Sequence, residues 1–194
     1  AVHLKLLCEK GALDSEELEK ALKALRRLEE NPPEKIDPRL EDVHGLIEKV
    51  ASEASEKAGG MLAYGKSRND AVAAAIRIRA RERLLQLTLQ QLQLIEALLK
   101  KALEHVETIF PAYTHLQRAA PATFGFILHG HAQRLLRNAE NAETLLNRIN
   151  LSPMGAAAVV GTSAPIDRLR EAELLGFDGV LENALDATTS RDFL

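Results

Sequence analysis

The sequence predicts an all-α protein built around long helices, and three observations carry that expectation. The first is its palette. Among 194 residues, aromatics make up 4% and Trp is absent, while Ala, Leu, Glu, Arg and Lys dominate, the side chains that lose least on entering a helix. The second is a stretch from Asn69 to Glu107 that contains neither Pro nor Gly, on the order of 60 Å of continuous helix. The third is its patterning. Ile78, Leu85, Leu92, Leu99 and Val106 recur at heptad spacing, and Leu84, Leu89, Ile95, Leu98 and Leu103 widen the stripe. A two-stranded coiled coil needs a narrower seam, so this helix is expected to face several neighbours, in a bundle core or a subunit interface.

Punctuation divides the rest. Val2, Leu4, Leu6 and Leu7 read as a helix already under way with no capping residue before it, so the chain is expected to enter inside a larger fold. Gly11 ends that helix, and Asp14 or Ser15 caps a second one through about Glu30, with Leu18, Leu22, Leu25 and Leu28 as its apolar stripe. Asn31-Pro32-Pro33 stops it. Asp37-Pro38 is a cap followed by proline at the first helical position, which predicts a third helix from Pro38 to about Lys57, ended by Gly59-Gly60. After the long helix, Pro111 breaks the chain, and a second long helix is expected from about Pro121 to Asn150. It carries Phe124, Leu128, His131, Leu135, Ala139, Ala142, Leu146 and Ile149 on one face. Ser152–Thr162 is small and apolar with Gly155 and Gly161, a close-packed loop. Short helices are expected around Ile166–Leu175 and from near Glu182. These breaks suggest two domains, an incomplete helical N-terminal domain over residues 1–67 and part of a long-helix domain over 68–194.

Composition narrows the function classes. With 25 Lys+Arg against 28 Asp+Glu and a net charge of -3, the chain lacks the basic surface of a non-specific nucleic-acid binder. It has no run of eighteen uncharged apolar residues to span a membrane and no signal-peptide core near its start. A single cysteine, Cys8, excludes an internal disulfide and a cysteine-based zinc site and fits a reducing cytosol. A cytoplasmic location is the expectation. His129 and His131 are two apart and point to different helix faces, not the i, i+4 spacing of a metal pair. No metal is expected.

Four short motifs carry candidate chemistry. Gly60-Met61-Leu62-Ala63-Tyr64-Gly65-Lys66-Ser67 matches the phosphate-binding pattern G-x-x-x-x-G-K-[ST]. That pattern works only after a buried strand and before a helix, and the preceding Ala51–Lys57 is charged and helical in character. Ser67-Arg68-Asn69-Asp70 opens the long helix. Its residues are capping types, and the free N–H groups of a helix start, an arginine and an Asn amide also suit a carboxylate. Tyr113-Thr114-His115-Leu116-Gln117-Arg118 fills the break between the long helices with hydrogen-bonding groups. His115 there is either a solvated loop histidine or an acid–base group working near neutral pH. Asp42-Val43-His44 lies on the third helix, where His44 is either packed or part of a site.

Together these motifs resemble successive blocks of argininosuccinate lyase, a branch of the fumarase/aspartase superfamily. The blocks are Glu41-Asp42-Val43-His44, Ser67–Asp70, Tyr113–Ala119, Ser152-Pro153-Met154-Gly155-Ala156, Leu175–Gly179, Glu182–Ala187 and Arg191-Asp192-Phe193, in order along the chain. The resemblance implies a long-helix bundle, a homotetramer with active sites shared between subunits, and reversible cleavage of argininosuccinate to arginine and fumarate in arginine biosynthesis, without a cofactor. It implies that His115 transfers the proton. Arg68 and Asn69 then hold substrate carboxylate with Ser67, Thr114 donates to it, and His44 and Gln117 lie at the site. Asp42, Asn183 and Asp186 fall in blocks close to it. The sequence departs from the family pattern at Met61-Leu62-Ala63-Tyr64, Lys66, Ala120, Ala184 and Ser190. The family's Gly-Ser-Ser loop with its catalytic serine is not present, so these residues alone are expected to be inactive. Two other readings compete: a non-catalytic, crystallin-like structural protein on the same scaffold, and a nucleotide binder through Gly60–Ser67.

Overall fold

The computed structural model describes residues 1–194. The chain forms eight α-helices: α1 (Val2–Glu9), α2 (Ser15–Glu30), α3 (Val43–Ala54), α4 (Glu56–Met61), α5 (Arg68–Glu104), α6 (Phe124–Ile149), α7 (Arg168–Leu174) and α8 (Ala184–Thr189). Four short strands accompany them: β1 (Ile109–Thr114), β2 (Gln117–Thr123), β3 (Leu151–Ser152) and β4 (Gly179–Val180). No helix is long and apolar enough to cross a membrane. The predominance of long helices matches the expected fold class.

Two compact units result. One comprises Ala1–Arg77 with Asn150–Asp192 and Leu194, the other Ile78–Ile149 with Phe193. The punctuation at Ser67 marks where α5 begins, but packing returns residues 150–192 to the N-terminal helices. Through β4 and α1, helix α7 is bound into the first unit, and its Glu171 reaches His3.

The core of the first unit is formed by Leu4, Leu7, Leu13, Ala21, Ala51, Ala58 and Leu62. Leu18 and Leu25 of the α2 stripe and Ile47 of α3 pack on it. Each fully buried leucine contributes about 2 kcal/mol. The predicted third helix is instead three pieces. Pro38–Leu40 is a single 3-10 turn, capped by the Asp37 carboxylate on the Arg39 amide. α3 starts afresh at Val43. It ends at Ser55, which caps α4 by accepting from the Ala58 amide at 3.0 Å. The Ser55 hydroxyl also donates to Glu17. Gly59 and Gly60 lie inside α4 rather than ending a helix. A side chain at Gly59 would run into Ser52, so this glycine permits the close approach of α4 to α3.

Beyond Asn150, the loop expected to be close-packed is so only in its first half, residues 152–156, while Val159 and Val160 are exposed. Ser152, Met154 and Ala156 are buried, and β3 pairs in parallel with β4, Leu151 opposite Gly179 and Ser152 opposite Val180. Arg168 clamps the loop by donating from Nε to the Met154 carbonyl at 3.1 Å and from Nη2 to the Leu181 carbonyl at 2.7 Å.

The second unit holds most of α5, which at 37 residues is about 55 Å long, together with α6. The break at Pro111 is a β-hairpin, not a loop. β1 and β2 pair antiparallel from Ile109–Thr123 to Thr114–Gln117, with a bulge at Ala112/Tyr113. Its two prolines face each other, so neither removes a donor that the other side of the ladder needs. Its base is anchored by Phe124, whose ring stands edge-on to His105 at 5.2 Å. The Gly125 amide donates to the His105 carbonyl at 3.0 Å, and a side chain at Gly125 would meet the Ala102 carbonyl. Gln91 of α5 donates to the Leu135 carbonyl of α6 at 2.7 Å. Ile95, Ala102 and Ala132 are buried, whereas Leu85, Leu92, Leu99 and Val106 of the heptad stripe are exposed. The stripe's breadth anticipated this, because one neighbouring helix cannot cover it.

Candidate active site

The first group of candidate residues is built on the turn that opens α5. Ser67 and Asp70 form a reciprocal cap. The Asn69 amide donates to Ser67 Oγ at 3.2 Å, and the Ser67 amide donates to Asp70 Oδ1 at 3.0 Å. The second carboxylate oxygen of Asp70 accepts from the Ala157 amide at 2.9 Å, so one side chain ties the start of α5 to the loop after β3. Asp70 is fully buried. Burial pushes its carboxyl above the usual carboxylate range, against the pull of the Ser67, Ala157 and Ala71 amides. The Asn69 side chain donates to the Ala158 carbonyl at 3.5 Å.

Arg68 projects from this turn toward the segment before α3. Its Nη1 donates to Glu41 Oε2 at 2.9 Å and to Asp42 Oδ2 at 3.3 Å. Asp42 is also the N-cap of α3, accepting from the His44 and Gly45 amides at 2.9 and 3.1 Å. The Gly45 amide chiefly, with Arg68 and His44, holds its carboxyl below the usual range. His44 stands half-buried in the first turn of α3. The structure therefore brings Asp42, His44, Ser67, Arg68 and Asn69 into one neighbourhood, of which the Arg68–Asp42 contact is the direct link.

Below this turn lies a buried polar group. His3, for which the sequence offered no partner, is 5% exposed and uses both ring nitrogens: Nε2 donates to the Tyr64 carbonyl at 2.9 Å, and Nδ1 meets Glu171 Oε1 at 3.1 Å. Lys66 faces Asp70, Glu171 and Glu48, yet burial lowers its ammonium below the ordinary lysine range. The phosphate-loop letters thus fall on the end of helix α4 and a turn. No strand leads into them, so the setting that the phosphate-binding pattern requires is not formed, and nothing supports the nucleotide-binding alternative.

The second group stands in the other compact unit, at the tip of the hairpin. Thr114 pairs with Gln117, and the two residues between them, His115 and Leu116, have φ of 49° and 62°. A two-residue turn with both central residues left-handed matches the twist of the strands but normally takes Asn and Gly. Here it holds a histidine and a leucine, a conformation costing of order 1–2 kcal/mol per residue. Thr114, His115, Leu116 and Gln117 are all exposed, and Leu116 is 98% so. Strain kept at an exposed tip is a mark of sites where a side chain must be presented.

Asn183 caps α8, accepting from the Leu185 and Asp186 amides at 3.0 and 3.1 Å. With Asp186 in the first turn of that helix, these two form a third location in the first unit. Asn183 lines an open cleft with Gly155, Val159, Thr162 and Arg168. Sequence reading missed Glu41, Lys66 and the His3–Glu171 pair as parts of this region. The pair joins residues 168 positions apart, which no local signal reveals, whereas the spacing of Ser67 and Asp70 is itself a cap signature.

Comparisons with known proteins give the family. Residues 2–194 match the family model described as "Lyase". The chain is 44% identical over 191 residues to the argininosuccinate lyase of Methanothrix thermoacetophila, covering 98% of this chain and 39% of that protein. It is 40% identical over 193 residues to that of Methanosarcina acetivorans (99% and 39%) and 43% identical over 195 residues to that of Geobacillus sp. strain WCH70 (99% and 42%). The chain thus spans about two fifths of the length of these relatives. Among solved structures, an EDDS lyase variant with bound fumarate superposes with a TM-score of 0.91 at 32% identity, covering 99% of this chain and 38% of that one. A fumarate lyase from Mesorhizobium sp. BNC1, at 21% identity and a TM-score of 0.80 over 99% of this chain and 46% of that one, shares the fold. The chain belongs to this lyase family, and its similarity to argininosuccinate lyases runs over nearly its whole length.

Proposed function

We propose that this chain supplies part of the active site of an argininosuccinate lyase, a carbon–nitrogen lyase of the fumarase/aspartase superfamily. The reaction is a β-elimination that yields fumarate and arginine. A base removes a proton from the carbon beside a substrate carboxylate, the electron pair forms the new double bond, and the carbon–nitrogen bond breaks as the guanidino nitrogen is protonated. Such a carbon acid is weak, so charge accumulating on the carboxylate has to be met by donors already in place, each worth about a hundredfold to a thousandfold in rate.

The observation that carries this reading is the pre-formed turn at the start of α5, where Arg68 and Asn69 sit beside helix N–H groups held by the Ser67–Asp70 cap. In this reading Arg68, Asn69 and Ser67 hold substrate carboxylate, with His44 beside them and Asp42 fixing Arg68 and the start of α3. Asn183 and Asp186 stand near the site. Thr114 and Gln117 are donors, and His115 moves the proton. A homotetramer with active sites shared between copies is part of this reading. The exposed leucines of α5 supply an apolar face for that assembly. No cofactor enters the reaction, no nucleic acid or membrane partner is called for, and a cytoplasmic location fits.

The test is fumarate formation, followed by ultraviolet absorbance, in a full-length protein carrying this sequence. His115→Asn is expected to lower turnover at least about a hundredfold; unchanged turnover removes His115 from the reaction. The 194 residues alone are expected to release no fumarate. A second reading changes only the amine. Likeness to the EDDS lyase with bound fumarate supports an elimination that gives fumarate from another N-substituted aspartate, and comparing such a compound with argininosuccinate as substrate decides between them.

A further inference from the structure

The connection between the 3-10 turn and α3 has a backbone that the fold alone does not require. The Asp42 amide donates to the Leu40 carbonyl at 2.7 Å, across Glu41 at φ 64° and ψ -58°. This is a γ-turn of the rare, non-inverse kind, strained for any residue with a side chain. It holds two consecutive carboxylates against Arg68, and they differ in how they are held. Asp42 is fixed by two amides of α3 in addition to Arg68. Glu41 has Arg68 as its side-chain partner and is 77% exposed.

An exposed ion pair of this type is weak and exchanges easily. Its carboxylate nevertheless sits on Arg68 Nη1 and competes for the guanidinium charge that would attract a bound carboxylate. We propose that Glu41 is a resident carboxylate that occupies Arg68 until a ligand carboxylate displaces it, and so sets how strongly an anion must bind to be held at this turn. The inference rests on reading Arg68 as a carboxylate-binding residue. Asp42 remains on Arg68 throughout and keeps the guanidinium aimed when Glu41 leaves. Glu48 adds attraction to Arg68 from α3 without a direct contact. The γ-turn assists the exchange: its strain is retained while Glu41 is paired and can relax when that pairing is lost, which lowers the cost of displacing Glu41.

The experiment is titration of a full-length protein carrying this sequence with fumarate, read by calorimetry, for the native sequence, Glu41→Gln, Glu41→Gly and Arg68→Gln. Both Glu41 variants are expected to bind about two- to fivefold more tightly, the range an exposed ion pair spans. Arg68→Gln is expected to lose the response. Glu41→Gly also relieves the backbone strain, so agreement between the two Glu41 variants assigns the gain to the lost carboxylate. If the native chain binds through Arg68 and Glu41→Gln binds equally or less tightly, the displacement idea is overturned and the carboxylate reading stands. If no variant binds, or if binding survives Arg68→Gln, the carboxylate reading of Arg68 fails and takes the displacement idea with it.

Discussion

The turn at the start of α5 and the hairpin after its end carry the two halves of the proposed chemistry, and they are built in opposite ways. In the turn, polar atoms are matched to partners. Ser67 Oγ accepts from the Asn69 amide and Asp70 from the Ser67 amide, Asp70 also reaches Ala157, and Arg68 is held by Glu41 and Asp42. In the hairpin, Thr114, His115 and Gln117 are exposed, and the backbone at His115 and Leu116 is strained to present them. A group that binds a fixed charge gains from being rigid before the ligand arrives. A group that must reach a reacting atom supplied elsewhere gains from presentation. The difference teaches that a wired turn and a bare tip are suited to different tasks, holding and delivering.

This contrast can be broken in several places. The largest effect is expected at the tip, where His115→Asn in the full-length protein should lower turnover at least about a hundredfold while leaving the melting temperature unchanged. A parallel fall in both would make His115 a structural residue. In the turn the expectation is reversed, with stability responding first. Asp70→Ala strands the part-buried amides of Ser67 and Ala157 and should cost about 1 kcal/mol in denaturant unfolding, with faster hydrogen exchange at both amides. Preserved exchange protection would show that the turn does not depend on its wiring.

Leu116→Gly removes no packing, because the side chain is in solvent. It should stabilise the hairpin by about 0.5–1 kcal/mol, the relieved strain less the extra freedom of glycine in the unfolded chain. Slower exchange of the Tyr113 and Arg118 amides would register it. The smallest effect concerns pH within the turn region. Asp42 is held low by the Gly45 amide and Arg68, so its contribution is present above about pH 4 and is lost as pH falls through its depressed value. Asp70 is raised by burial, so its charged form works against folding, and that penalty disappears as it takes up a proton on acidification. Carbon-13 titration should find Asp70 protonating at higher pH than Asp42. The reverse order would mean that the amides outweigh burial at Asp70.

The long helices were legible because apolar periodicity and the lack of Pro and Gly act over dozens of residues. The cap at Ser67 fell where residue type and spacing suggest it, and α2 begins after Asp14 as expected, although the Asp14 side chain turns to Lys57 and caps no amide. The hairpin was not legible. Ile109, Phe110, Tyr113 and Thr114 favour strands, but Pro111 and Pro121 read as breakers, and His115-Leu116 has neither of the usual hairpin-tip residues. The break at Ser55 was hidden because Gly59 and Gly60 are stronger punctuation. Only the approach of Ser52 shows that Gly59 serves packing. Of the candidate site, the residue types were visible in short motifs. The partners were not, since Glu41 lies 27 positions from Arg68 and Ala157 lies 87 from Asp70. Contacts at such separations depend on the tertiary fold.

The division of the chain into a continuous and an interrupted unit also sets an order of assembly. The second unit's helices and hairpin lie within Ile78–Ile149, so its contacts close locally as they are made. The first unit leaves at Arg77, resumes at Asn150, and fastens His3 to Glu171 across 168 positions. Contacts of such separation form slowly, and during synthesis they wait for the distal partner. The core of α1 to α4 can close within residues 4–62, but the side of α1 that meets α7 must wait until α7 has emerged. A pause in translation before Glu171 would prolong the time that His3 spends without its partner far more than a pause after it.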